Sequence, residues 1–361
     1  MNGNKYDSNI CDSIEHVFDE WYDNAMLIWR EKKNIDEFKK KSVKDYFDDL
    51  FKDFIKNDTN EIQELKKAIL KSYQSYLCIY ISCNNISDCS LSELGSFVLF
   101  PGNDEEFPGG FSTLINYLAS KLPKDSIKLN HPVEKVIIED DDNNVKIECK
   151  NNSIFYSKHL IVTCSLNYLK ENYKTLFNSD KVLFNEKKVE AMNEIKMGIV
   201  DNFLLIYEND IEFIPKDIDS VTPVLTGDDN LGISTKWYQN LYRIFKFYDN
   251  ILRFFIYGEE AIYLETLSDD EIIKTITKVL KRLLNNECIP EPKMIIRYLN
   301  KMISNFKRFL LLYIRSKWYE NQYIRGSYSY IPVNGTSDSI KIFSEPFYLD
   351  GSVSKIFYQV N

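Results

Sequence analysis

The side chains best placed to do chemistry lie in one aromatic run, KWYENQYIRGSYSY from Lys317 to Tyr330, where Trp318, Tyr323, Ser327 and Tyr328 follow in quick succession. Such density usually packs, because Trp and Tyr bury large areas while their polar tips find partners. The same residues can wall a pocket. The rest of the chemical inventory excludes more than it offers. Seven cysteines are scattered with no CxxC pair and no Cys/His zinc spacing, so reduced, buried thiols are expected. His16, His131 and His159 stand far apart and read as surface or cap residues, and no Ser/His/Asp set or phosphate loop is evident. Twelve glycines occur and no two stand in G-x-G spacing. The chain therefore lacks the turn whose glycines let backbone amides approach a pyrophosphate at a helix start.

The elements that must position these side chains can be read in order. Val17, Trp21, Ala25 and Ile28 form one helical stripe, and Val43, Phe47, Leu50, Phe51 and Phe54 form a second with Ser42 placed to cap it. A third helix, starting after Thr59, carries Ile62, Leu65, Ile69 and Tyr73. After Gly109-Gly110, the spacing of Phe111, Leu114, Ile115, Leu118, Ala119 and Leu122 predicts a helix that buries one face and ends at Pro123. Ile127 and Leu129 alternate with polar residues, Val133, Val136 and Ile138 continue as a strand, and Val145, Ile147 and Cys149 return as its hairpin partner. A turn at Asn151-Asn152 leads to the apolar triplet Leu160-Ile161-Val162, which reads as a strand covered on both faces.

Lys187 to Ile195 looks helical and leads into GIVDNFLLIYE, a strand with Leu204 and Ile206 on one face and Phe203, Leu205 and Tyr207 on the other. Trp237 to Ile256 reads as paired strands. Beyond Gly258 come two helices, the second opened by a Ser268/Glu271 capping box and carrying Ile272, Ile276, Val279, Leu280 and Leu283. With 361 residues and 44% hydrophobic composition the chain can hold one large domain or two. A net charge of −9 argues against nucleic-acid and anionic-membrane partners and is compatible with a cationic substrate. The amino terminus has no apolar signal core, and the most apolar run, Phe309 to Ile314, is too short to span a bilayer. A soluble, cytoplasmic α/β protein with an aromatic-rich mixed sheet is expected.

Several stretches in order resemble the FAD-dependent amine oxidases, especially the spermine and polyamine oxidases and their histone-demethylase relatives. The residues that carry the resemblance are Leu129-Asn130, Pro132-Val133, Val136, and Val162-Thr163 through Leu169-Lys170. WYQNLYRI from Trp237, GEEAIYLETLSDDEI from Gly258, IPEPK from Ile289 and KWYENQYIRGSYSY from Lys317 add to them. The resemblance runs from about Ile86 onward. Cys164-Ser165-Leu166-Asn167 replaces the family's PLG turn, and Tyr358-Gln359-Val360-Asn361 leaves the family pattern where its last flavin-binding motif would follow.

The resemblance implies a mixed α/β, two-domain flavin amine oxidase fold that is incomplete: a mixed-sheet substrate domain with helices and part of the FAD-binding domain. Residues 1–105 would be the helical part of the substrate domain, 106–170 a segment of the FAD domain, and 171–297 the substrate-domain sheet and helices. Residues 298–315 have no family counterpart, a retained intron or a lineage-specific helix being the alternatives, and 316–361 would be a truncated FAD-domain and pocket segment. It implies FAD-dependent oxidation of polyamines, by hydride transfer to flavin with peroxide release, the alternative being an inactive relative that acts as a binding protein. Asn202 falls at the position of the family lysine that holds a water against the flavin, and an amide supplies neither its charge nor its proton traffic. Val133 and Trp318 would meet the cofactor, and Trp318, Tyr323, Ser327 and Tyr328 would line a pocket for a polyamine, whose ammonium groups are drawn to ring faces. No metal is implied.

Overall fold

The computed structural model describes residues 7–32, 35–97, 101–102, 110–139, 145–177, 184–224, 236–296, 317–346 and 356–358. The chain opens with helices α1 (Ser8–Arg30), α2 (Ile35–Phe38), α3 (Val43–Ile55) and α4 (Asn60–Ile81). Ser42 caps α3 as expected, its side chain accepting from Asp45 N while the Asp45 carboxylate takes the Ser42 N–H. The stripes on α1, α3 and α4 interlock in one cluster around Phe18, Trp21, Phe47, Ile69 and Leu77, with the Phe18 and Phe47 rings edge to face at 5.2 Å.

Next come α5 (Phe111–Ser120), β1 (Val133–Ile138), β2 (Val145–Cys149), β3 (Ile154–Ser157), β4 (Leu160–Val162), α6 (Leu166–Leu176) and α7 (Glu186–Glu194). Then follow β5 (Lys196–Met197), β6 (Val200–Ile206), β7 (Ser220–Val221), β8 (Leu241–Tyr248), β9 (Ile251–Tyr257), α8 (Glu259–Thr266) and α9 (Asp269–Leu284). The described elements end with β10 (Met294–Ile296), β11 (Ser329–Tyr330), α10 (Asp338–Ser344) and β12 (Ile356–Tyr358).

The centre is an antiparallel sheet in the order β10-β6-β9-β8-β7. Because side chains alternate across a strand, its two faces separate cleanly. Phe203, Leu205, Ile244, Leu252, Phe254 and Ile256 face α9, whose Ile272, Ile276, Val279 and Leu280 close the core as the spacing predicts. Phe203 and Phe254 stack at 5.1 Å in this core. The opposite face turns Val200, Phe255 and Tyr257 toward α4 and the first cluster. A smaller unit holds the antiparallel sheet β1-β2-β3 and the parallel pair β4-β12, packed with α6, α7 and α10 around Val136, Val145, Leu169, Met192 and Phe343.

Four expectations need correction. Helix α5 forms, yet none of its residues is buried, and Phe111, Ile115 and Leu118 are 71%, 60% and 53% exposed. The amphipathic pattern made the helix, and among the described residues no facing layer buries it. Ile127 and Leu129 belong to no strand, because Asp125 and Asn130 take left-handed φ values of 64° and 61° that break an extended run. In the triplet Leu160–Val162 only Val162 is buried, and Ile161 is 65% exposed, so β4 is not covered on both faces. Trp237–Asn240 is a 3₁₀ turn rather than a strand, and the pairing starts at Leu241. The unmatched stretch 298–315 and the apolar run from Phe309 lie outside the described residues. Among the described residues no helix is long and apolar enough to cross a membrane.

Candidate active site

Asn202 sits half-buried in β6, directly opposite Phe255 of β9, on the sheet face that also carries Val200 and Tyr257. That face meets α4 at one end. The segment from Gly326 to Tyr330 is bound to the backbone of β5 and of the start of β6. Ser327 N–H donates to Gly198 O at 2.8 Å, its Oγ accepts from Val200 N at 2.8 Å, and the same hydroxyl lies 2.9 Å from Val200 O. Gly198 N–H returns a bond to Tyr328 O at 3.1 Å, and β11 pairs with β5 through Ser329 and Tyr330. Gly198 must also be glycine, since a Cβ there would stand 1.6 Å from the Ser82 carbonyl oxygen at the end of α4. Tyr328 then reaches across to donate its hydroxyl to the Ile79 carbonyl of α4, and burial pushes its pKa up.

The sheet face continues as an unbroken series of ring and guanidinium contacts. Phe97, Tyr80 and Tyr76 touch in turn at 5.7 and 5.8 Å, and Tyr76 meets Tyr242 at 5.6 Å. The Arg243 guanidinium lies 5.0 Å from the Tyr242 ring centre and 5.8 Å from that of Phe245. Phe245 packs edge to face on Phe255 at 5.8 Å, and Arg253 lies 4.6 Å over Phe255 and 5.5 Å from Phe247. Tyr76, Tyr80 and Phe97 remain more than a third exposed, so the series opens to solvent at the α4 end.

The residues expected from sequence therefore divide. Ser327 is held on Val200, two residues before Asn202 in β6, and Tyr328 reaches from there to α4. Trp318 is half-buried beside α8, where the backbone N–H groups of Tyr319 and Glu320 donate to the buried carboxylate of Glu265 at 2.9 and 2.8 Å. Tyr323 packs on Tyr168 of α6 at 5.8 Å, next to the α6 start, where Ser165 Oγ donates to Ile324 O and Asn167 Nδ2 donates to Arg325 O at 2.8 Å. The aromatic run thus bridges the exit of β4 and the central sheet. Val133 lies elsewhere, paired with Cys149 in the small sheet and packed on the third apolar cluster.

Sequence reasoning missed Tyr76, Tyr80, Tyr242, Arg243, Phe245, Arg253 and Phe255. A signal was present: Arg243, Phe245 and Phe247 recur with period two, as do Arg253 and Phe255, which puts each set on one face of its strand. A separate cavity of about 350 Å³ opens on α4 and contains none of the expected residues. Its polar groups are largely satisfied internally: Ser75 Oγ and Tyr257 OH lie 2.9 Å apart, Asn240 donates to Glu260 at 2.6 Å, and Asn84 donates to Glu259 at 3.2 Å. Among the described residues no group of three or more His, Cys, Asp or Glu side chains is arranged to hold a metal.

The family model for flavin-containing amine oxidoreductases matches residues 15–357. The chain belongs to the flavin-containing amine oxidoreductase family. It is 26% identical over 317 residues to the peroxisomal N(1)-acetyl-spermine/spermidine oxidase of Homo sapiens, a match that covers 83% of this chain and 58% of the relative. It is 26% identical over 308 residues to probable polyamine oxidase 5 of Arabidopsis thaliana, covering 83% of this chain and 55% of the relative. A match to lysine-specific histone demethylase 1B of Mus musculus, at 23% identity, covers 90% of this chain and 36% of that protein. The chain thus spans less than three-fifths of the length of these relatives. The fold is shared with putrescine oxidase, whose wild-type structure bound to putrescine superposes with a TM-score of 0.62 at 14% identity, over 100% of this chain and 72% of that one.

The family uses FAD, and the described residues fit only part of it. Asn202 offers an amide beside the Phe255 ring, whereas the Ser327 and Tyr328 hydroxyls are engaged by the Val200 and Ile79 backbone. The pyrophosphate side is different. Of the described helices with a glycine N-cap, α8 has Glu259 and Glu260 in its first turn, whose charge repels a diphosphate, and α5 follows Gly109-Gly110 without G-x-G spacing. No glycine cradle for a dinucleotide is present among the described residues.

Proposed function

We propose that this protein is an amine-oxidising flavoprotein of the polyamine class, acting on spermine or an N-acetylated polyamine. The observation that carries the reading is the run of aromatic side chains from Phe97 to Phe247, in which Phe255 stands directly opposite Asn202 on one sheet face. The chemistry FAD supplies in this family is acceptance of hydride from the carbon beside an uncharged amine, with oxygen restoring the cofactor and peroxide leaving. This chain's residues would bind and orient the amine: methylenes lie on the rings, and the Asn202 amide donates or accepts one hydrogen bond. That amide cannot take up or deliver a proton near neutral pH.

Asn202 also favours a second reading, an inactive relative that binds an amine without oxidising it. Purification and a spectrum separate the two. Absorbance in the flavin bands together with peroxide release on adding spermine or N1-acetylspermine supports the oxidase, and Asn202→Lys should then raise the rate. A colourless protein that still binds either amine leaves the binding protein. We place the chain in the cytoplasm, because its seven cysteines are all unpaired and such thiols persist in a reducing compartment. Imaging of a tagged chain in an organelle would refute that placement.

A further inference from the structure

The run of rings from Phe97 to Phe247 contributes nothing to the cavity of about 350 Å³ on α4, whose volume falls in the range of small-molecule sites. Four of its lining side chains are buried, Cys78 and Ile86 with little polar character and Ser75 and Tyr257 with their hydroxyls 2.9 Å apart. Around this floor stand charges of both signs. Helices α3 and α4 contribute Lys44 and Lys71, and the first turn of α8 contributes Glu259 and Glu260. Among the described residues no ion pair joins the two sets: Lys44 is bridged to Asp48, and Lys71 forms none. Asn84 donates to Glu259 Oε1 at 3.2 Å and Asn240 to Glu260 Oε2 at 2.6 Å, which orients both carboxylates and leaves one oxygen of each without a partner among the described residues. Their place at the start of α8 favours the ionised form.

Opposite charges that line one cavity without pairing select a ligand by its own charge pattern. A ligand with a single charge meets one attractive set and one repulsive set, whereas a ligand carrying both charges gains a charge-assisted hydrogen bond at each end. We propose that this cavity binds a small zwitterion, an ammonium joined by a short methylene chain to a carboxylate or a phosphate. The ammonium donates to the open oxygens of Glu259 and Glu260, the methylenes lie on Cys78, Ile86 and the Tyr257 ring, and the oxyanion accepts from Lys71 Nζ. Because Lys44 is already held by Asp48, Lys71 is the cation left to meet the anion. Such a site works without flavin and apart from Asn202.

Isothermal titration calorimetry on the full chain tests this with 3-aminopropanoate, 4-aminobutanoate, 5-aminopentanoate and O-phosphoethanolamine, against butanoate, which lacks the ammonium. At least one zwitterion should bind about tenfold or more tightly than butanoate, the loss expected for one charge-assisted hydrogen bond, and added salt should weaken it. The chain length that leads gives the span between the charges, and O-phosphoethanolamine tells a phosphate from a carboxylate. Lys71→Gln and Glu259→Gln/Glu260→Gln should each reduce that affinity about tenfold or more. Lys67→Gln, one turn earlier on α4 and absent from the cavity lining, should leave it unchanged. Lys71 is an exposed side chain, so Lys71→Gln keeps the fold and keeps the test decisive. Zwitterions that bind no better than butanoate, binding lost in only one of the two cavity variants, or binding unchanged in both overturns the proposal. Absence of binding by every probe overturns it as well.

Discussion

Helices α9 and α5 carry comparable apolar stripes and end in opposite surroundings. On α9, Ile272, Ile276 and Leu280 are wholly buried beneath the central sheet, while on α5, Phe111, Ile115 and Leu118 are all more than half exposed. The strands repeat the contrast. Phe203 and Phe254 stack inside the five-stranded sheet with no exposed surface, whereas Ile161, in the middle of β4, is 65% exposed. Amphipathic spacing is a local property of the chain, and burial needs a second layer at the right distance. The region around the sheet has that layer twice over, in α9 on one side and α4 on the other. Among the described residues β4 has β12 as its parallel neighbour, and α5 has no covering layer.

The largest expected effect tests this contrast directly. Phe254→Ala should cost about 3–5 kcal/mol of unfolding free energy, by loss of burial and creation of a cavity, whereas Leu118→Ala on α5 should stay within about 0.5 kcal/mol. Urea unfolding of both variants is the measurement, and equal losses would mean that α5 is covered in solution. The next effect concerns the join between the regions. Glu265→Ala strips the acceptor from the Tyr319 and Glu320 N–H groups and should cost roughly 1–3 kcal/mol. Amide exchange should then speed up around Trp318 and remain unchanged at Ser327, which is anchored on Val200 instead.

A smaller loss, about 1 kcal/mol, is expected for Ser268→Ala, because the Ser268/Glu271 capping box of α9 is fully formed. The matching comparison is Gly110 of α5, an N-cap with no side chain to lose. A dependence on pH is expected in the smaller unit. Lys188 donates to the carbonyls of Ile342, Phe343 and Glu345 at 3.3, 2.8 and 2.5 Å, and burial lowers its pKa to about 8. Lys170 is lowered to about 8 as well, chiefly by burial. In the unfolded chain both lysines hold their protons to the ordinary value near 10.5, so between pH 8 and 10 the unfolded state binds more protons. Stability should therefore rise with pH across that window, and a melting-temperature series should show the slope reduced in Lys188→Met.

Much of the scaffold was legible because its signals are local. The Ser42 and Ser268 caps, the stripe on α9, the helix at Glu186–Glu194 and the strand through Phe203 and Leu205 all follow from spacing within a single element. What failed did so where a backbone turn interrupts the pattern or where distant residues decide. Left-handed Asp125 and Asn130 undid an alternation that looked like a strand, and Trp237–Asn240 curled into a 3₁₀ turn before β8 began. At the site, Asn202, Ser327 and Tyr328 were named through family resemblance, and the fold sets Ser327 on the Val200 backbone, Tyr328 against α4 and Asn202 opposite Phe255. Tyr76, Tyr80 and Tyr242 could not be joined to them from sequence, because they come from α4 and β8 and meet only when α4 crosses the sheet.

The amino-acid sequence on its own determined which segments become helices and strands, where their caps lie, that no G-x-G turn occurs in these 361 residues, and that the chain carries amine-oxidase motifs. Propensity, periodicity and side-chain caps act over a few residues, and that is why they can be read from the string. Tertiary structure alone decided that Arg253 lies over the Phe255 ring opposite Asn202, that Val133 lies in another unit, and that among the described residues nothing buries the α5 stripe. Those outcomes depend on which layer meets which face, a relation between residues far apart in the chain that no local pattern encodes.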